Sequence, residues 1–175
     1  MAKFKLILGL GNPGEEYQYT YHNTGILAAR HFAMETEFKK DSSGLFEYAK
    51  SGNGTIIATS LVFMNESGRA AAAAARKFHL TPQDILVVHD ESDMTLGTFK
   101  FSFNRNAAGN HGVESVIQSL GTKEFTRLRI GIRDAEDNGK ASNFILRKIP
   151  KVKLKILQTV FDEANIVLGA ENSKE

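Results

Sequence analysis

Short apolar runs alternate along the chain with stretches whose apolar residues recur at helical spacing. Runs rich in Ile, Val, Leu and Phe at 4–10, 45–50, 55–62, 85–89, 99–103 and 127–132 read as strands. Between them, Asn23 or Thr24 can cap a helix reaching about residue 37, and Asn65 or Ser67 can open another through the alanines at 70–75 to about 78. A third helix spans about 112–120 and stops at Gly121. The last starts after Pro150, a favourable first-turn residue, and turns Leu154, Leu157, Phe161, Ala164 and Leu168 to one face before Gly169.

This alternation predicts an α/β fold, a single domain over 1–175 with a twisted, mixed but largely parallel central sheet and helices on both faces. The neighbouring strands within 45–62 and within 85–103 are expected to supply antiparallel members. No internal repeat or linker divides the chain. Open α/β sheets place ligand sites beyond the carboxyl ends of their strands. If the strands at 4–10, 55–62 and 85–89 are parallel, then Gly11, Asn12 and Pro13 converge with Met64, Asn65 and Asp90 on one rim.

Composition narrows the class. A chain of 175 residues can bury roughly 70% of its unfolded surface in one core. No apolar run approaches the length of about 18 residues that a membrane span needs, and the opening MAKFKLILGL passes straight into a strand. Neither a span nor a signal peptide is expected, and the chain reads as a soluble, cytoplasmic protein. The absence of cysteine excludes disulfides, thiolate metal sites and a cysteine nucleophile. No cofactor and no metal is expected. The net charge of +2 hides an asymmetry, because residues 123–155 hold ten Lys/Arg against four Asp/Glu. That stretch, which includes Arg127, Arg129 and Arg133, is either a polyanion-binding surface or a solvated basic one.

Five polar segments carry the candidate chemistry: GLGNPG at 9–14, YHNTG at 21–25, FMNESG at 63–68, HDESD at 89–93 and GNHG at 109–112. Together they supply a histidine, carboxylates and carboxamides, the set that hydrolysis of an acyl bond requires. The first segment satisfies G-x-G-x-x-G, but Glu15 and Glu16 follow where a dinucleotide phosphate would sit, which argues against a nicotinamide site. His22, just ahead of a helix, is placed to act as a base near neutral pH. Asp90, following an apolar strand, is the carboxylate best placed to hold the other ring nitrogen. Asn12 and Asn65 each follow a strand and serve either as turn or cap residues or as donors to a substrate carbonyl. Phe63 and Met64 are either core residues or the apolar wall of a channel.

These segments in this order, completed by FTRLRIGI at 125–132, closely resemble bacterial-type peptidyl-tRNA hydrolase over essentially the whole chain. The resemblance implies a metal-independent, monomeric, cytoplasmic α/β enzyme. Such enzymes cleave the ester between a peptide and the 3′ ribose of tRNA. Matched position by position, it implies His22 as catalytic base, Asp90 as its carboxylate, Asn12 as the residue that recognises the peptidyl amide, and Asn65 as the residue that orients substrate and water. Met64 falls beside the peptide channel, Tyr17 and Phe63 where the tRNA end is contacted, and Arg129 in a phosphate grip. There are departures. The family's usual G-H-N-G is Gly109-Asn110-His111-Gly112 here, so Asn110 or His111 takes the asparagine's role in substrate binding. The loop at 104–108 has no glycine, Ser102 stands in place of the usual lysine of the phosphate grip, where Lys100 or Arg105 can reach in its stead, and Tyr21 replaces an arginine. The competing expectation is a non-catalytic RNA-binding protein of the same fold. Against it stands the retention of Asn12, His22, Asn65 and Asp90 together.

Overall fold

The computed structural model describes residues 3–172. Its strands are β1 (Leu6–Gly9), β2 (Lys39–Lys40), β3 (Phe46–Lys50), β4 (Ile56–Ser60), β5 (Ile85–Thr95), β6 (Phe99–Phe103) and β7 (Thr126–Arg133). They form one sheet in the order β2-β3-β4-β1-β5-β7-β6. The central strands β4, β1, β5 and β7 run parallel, and the edges are antiparallel, β2 and β3 on one side and β6 on the other. The expected antiparallel pair within 45–62 is β3–β4. Within 85–103 the antiparallel member is β6, but it pairs with β7, which lies between it and β5.

Four helices cover the sheet, α1 (Thr24–Ala33), α2 (Ser67–Lys77), α3 (His111–Leu120) and α4 (Lys151–Asn172). Helices α1 and α4 pack on one face with Ile7, Leu86, Val88, Leu128 and Ile130. Helices α2 and α3 pack on the other with Leu6, Leu8, Ile85, Val87 and Phe125. Successive strand residues point to opposite faces, so a sheet covered on both sides demands apolar residues without interruption, as in the fully buried β1. The alanines of α2 at 70, 71, 73 and 74 are buried, and Gly68 brings that helix against the backbone of α3 at Ser115.

Several boundaries differ from the sequence reading. Helix α1 stops at Ala33 because Met34 takes φ 54°. Helix α4 runs through Gly169 to Asn172; glycine costs a helix about 1 kcal/mol, and the buried stripe Leu157, Phe161, Ala164 and Leu168 holds this one against the sheet. Strand β5 continues past His89 to Thr95. Neither Asn23 nor Thr24 caps α1 with its side chain. Among the described residues no helix is long and apolar enough to cross a membrane.

Candidate active site

Strand β1 ends at Gly9, opposite Val88, while β5 runs on beyond it. Asp90 lies on this overhang, within a strand rather than in a turn, and pairs with Ile130 of β7. Strand alternation sends Asp90 to the α1 side with Leu86 and Val88, and His89 to the reverse side with Ile85 and Val87. A 3-10 turn at Tyr21–Asn23 leads into α1 and carries His22. The first turn of α1 lies directly on the sheet. A Cβ at Gly25 would overlap the carbonyl oxygens of Val88 and Leu10, so only glycine permits the approach. That approach seats His22 above Asp90.

His22 Nδ1 lies 2.8 Å from Asp90 Oδ2. An ionised carboxylate only accepts, so Nδ1 carries the hydrogen and the Nε2 lone pair is left for a reactant. The backbone N–H of His22 donates to the carbonyl of Ile145 at 2.8 Å, which fixes the turn. The imidazole is 12% exposed and the carboxylate 3%. Burial pushes the His22 pKa down, but the charge of Asp90 and its hydrogen bond together push it up by more, and the net shift is upward from 6.5. Asp90 Oδ1 is buried without a hydrogen-bond partner among the described residues, so His22 is the principal partner of this carboxylate.

A cavity of about 260 Å³ opens here, lined by His22, Asp90, Ser92, Asn110, His111 and Ile145 among others. Asn12 lines an adjoining groove of about 600 Å³ instead. Its Oδ1 accepts from the backbone N–H of Met64 at 2.8 Å, which joins the ends of β1 and β4, and its NH₂ has no hydrogen-bond partner among the described residues. Asn65 is exposed on the first turn after β4, and its side chain makes no hydrogen bond among the described residues. Met64 is buried, with its sulfur against Gly112. Phe63 is 49% exposed and meets Tyr17 edge to face at 6.2 Å. Asn12, Met64, Asn65, His22 and Asp90 thus gather at the carboxyl ends of the parallel strands.

At the exchanged pair the two side chains have different roles. Asn110 caps α3, its Oδ1 accepting from Val113 N–H at 3.0 Å, while its Nδ2 donates to the carbonyl of Asp90 at 3.3 Å. His111 is exposed in the cavity wall, and its side chain makes no hydrogen bond or ion pair among the described residues. Arg129 donates from Nε to Glu91 Oε2 at 3.0 Å and from Nη1 to Ser102 at 3.3 Å, with exposed Lys100 opposite it in the β6–β7 ladder.

Sequence reasoning missed three residues. Asn23, read as a cap, holds the backbone of Asn12. His89 and Arg127 are buried behind Asp90. Arg127, counted in the basic stretch, is 2% exposed. Arg133 also turns inward, to the carbonyls of Ser92, Asp137 and Gly139. The exposed cations of that stretch are Lys123, Lys140, Arg147, Lys148, Lys151 and Lys155. Among the described residues no group of three or more carboxylates and histidines is arranged to hold a metal ion.

The family model described as peptidyl-tRNA hydrolase matches residues 6–173. The chain belongs to the peptidyl-tRNA hydrolase family. A relative so named from Lactobacillus johnsonii is 36% identical over 169 residues, covering 94% of this chain and 91% of that one. One from Thermus thermophilus is 36% identical over 159 residues, covering 91% and 84%. The crystal structure of peptidyl-tRNA hydrolase from Acinetobacter baumannii superposes with a TM-score of 0.84 at 28% identity, covering 97% of this chain and 88% of that one. Family membership therefore extends over the whole sheet and both helical layers.

Proposed function

We propose that this chain hydrolyses the ester linking a peptide, or an N-blocked amino acid, to the 3′ ribose of tRNA, with His22 as general base. The observation that carries this reading is the 2.8 Å contact between His22 Nδ1 and Asp90 Oδ2, which leaves Nε2 as an acceptor at a cavity in a chain of this family. Water gives a proton to Nε2 as its oxygen attacks the ester carbonyl carbon. The tetrahedral intermediate collapses, and the imidazolium returns that proton to the departing ribose oxygen. Asp90 holds the ring and offsets the charge it gains. The free NH₂ of Asn12 binds the peptidyl amide, and Asn65 orients substrate and water. Donors of this kind are worth about 3 kcal/mol of barrier when aimed at developing negative charge.

Met64 and His111 border the peptide, Tyr17 and Phe63 receive the tRNA end, and Arg129 with Lys100 meets a backbone phosphate. The chain works as a cytoplasmic monomer, one hydrolase domain over 1–175. The test is release of N-acetyl-amino acid from tRNA by the wild type and by His22→Ala, each with EDTA and without. Turnover by the wild type that is lost in the variant supports the reading, whereas equal rates remove His22 from the mechanism. Binding of tRNA without turnover would instead favour the RNA-binding alternative.

A further inference from the structure

Asn104 and Ala108 take left-handed backbone conformations, φ 53° and 50°, in a stretch with no glycine between 104 and 108. Asparagine adopts that region readily, but alanine persists in it only where its surroundings over-determine it. The surroundings here are a buried pair on the reverse side of β5 from the Asp90 carboxylate. Arg127 donates from Nη2 to the carbonyl of Asn106 at 2.9 Å and from Nη1 to His89 Nε2 at 3.4 Å. Guanidinium only donates, so His89 Nε2 accepts, and its Nδ1–H donates to the carbonyl of Asp90 at 2.6 Å. The same carbonyl receives Asn110 Nδ2 from the far end of the loop. Lys123 adds a bond to the side chain of Asn106.

No carboxylate lies within ion-pair distance of Arg127 among the described residues, in contrast to Arg129 beside it, which has Glu91. A buried cation served only by neutral acceptors is poor value for stability alone. Its two acceptors are the loop and the strand of the catalytic carboxylate.

We propose that His89 and Arg127 are positioning residues, a brace that holds the 104–110 loop against the strand carrying Asp90 and thereby sets the substrate-binding wall of the cavity without touching substrate. Its effect on turnover rests on the ester-hydrolase reading; its effect on the loop does not.

The test uses the full chain and two measurements, hydrogen exchange without substrate and steady-state hydrolysis of N-acetyl-aminoacyl-tRNA. For Arg127→Met, exchange should quicken about tenfold at residues 106–113 while the rest of the sheet stays protected. KM should rise about tenfold, the size expected for one charge-assisted hydrogen bond, with kcat nearly unaltered and the acidic limb of the pH profile unmoved. Arg127→Lys keeps the charge but reaches one acceptor only, and should shift both readouts less in the same direction. His89→Gln offers Oε1 where Nε2 accepted, and should restore most of the protection that His89→Leu loses. Unchanged exchange at 106–113 in Arg127→Met, or a fall in kcat with KM unaltered, overturns the brace. Should Arg127→Met not fold, Arg127→Lys decides by the same outcomes. A wild type without turnover refutes the hydrolase reading and leaves the exchange measurement to judge the brace.

Discussion

Asn23 holds Asn12 by its backbone on both sides, its Oδ1 accepting the N–H of Asn12 at 2.8 Å and its Nδ2 donating to the carbonyl of Asn12 at 2.9 Å. Both residues are buried. The side chain next to the proposed base therefore decides where the proposed amide-recognising residue sits. Asn23→Ala leaves two buried backbone groups without partners, at about 1–3 kcal/mol for each group. A lower melting temperature is expected, together with reduced kcat/KM well below it, because Asn12 then samples other directions. Thermal unfolding and hydrolysis assays check the two effects, and wild-type stability would show that water replaces the amide without loss.

Asp90→Asn removes the charge that, together with the hydrogen bond to the same carboxylate, outweighs burial at His22. A general base must be neutral, so wild-type activity should rise with pH through a value above 6.5, the ordinary value of the imidazole. In the variant that limb should move to lower pH, since burial then acts with less opposition, and the plateau should fall about a hundredfold because an amide, unlike a carboxylate, can donate to Nδ1 and favour the wrong tautomer. A pH–rate profile of both proteins measures this. A limb that stays in place would mean another group limits the rate.

Glu91 takes the Nε–H of Arg129 and Ser102 one hydrogen of Nη1, so a phosphate is left the remaining Nη hydrogens. Arg129→Gln should raise KM and lower the dependence of log KM on log salt by about one, the signature of one lost phosphate contact. Titrations of hydrolysis rate against substrate across a salt series provide the slope. An unchanged slope would assign Arg129 to the Glu91 pair alone.

His89 and His22 bend the pH dependence of stability in opposite directions. The His89 pKa is pushed down to about 4, by burial first and then by the charge of Arg127. Its native site therefore contributes stability above pH 6.5 that is lost as pH falls through about 4, on the order of 3 kcal/mol at roughly 1.4 kcal/mol per pKa unit. The contribution of the His22–Asp90 pair has the other sign, being complete below 6.5 and lost as pH rises through the raised native value. Urea unfolding at a series of pH values should show a curve between 6.5 and 4 that His89→Gln flattens; equal slopes in both proteins would place the acid sensitivity elsewhere.

Much of the fold was legible because the central strands are buried on both faces and so read as unbroken apolar runs. Polar elements were not. The two lysines of β2 form an exposed edge, and the second half of β5 alternates with acidic residues, so neither carries an apolar signature. Helix ends followed local rules at Gly121, with φ 70°, and broke them at Met34, a non-glycine with φ 54°, and at Gly169, where packing carries α4 onward.

Residue types and their spacing along the chain, which are local properties, determined the apolar strands, the helices and the supply of one imidazole ahead of a helix, one carboxylate after an apolar run and two carboxamides at strand ends. Only the tertiary structure decided their partners. Strand order brings β5 between β1 and β7, and the contact at Gly25 lowers α1 onto the sheet, so His22 meets a carboxylate 68 positions away. The same packing turns Arg127 inward and leaves nearby lysines in water, a distinction that pairing between distant segments makes and that no local pattern of charge contains.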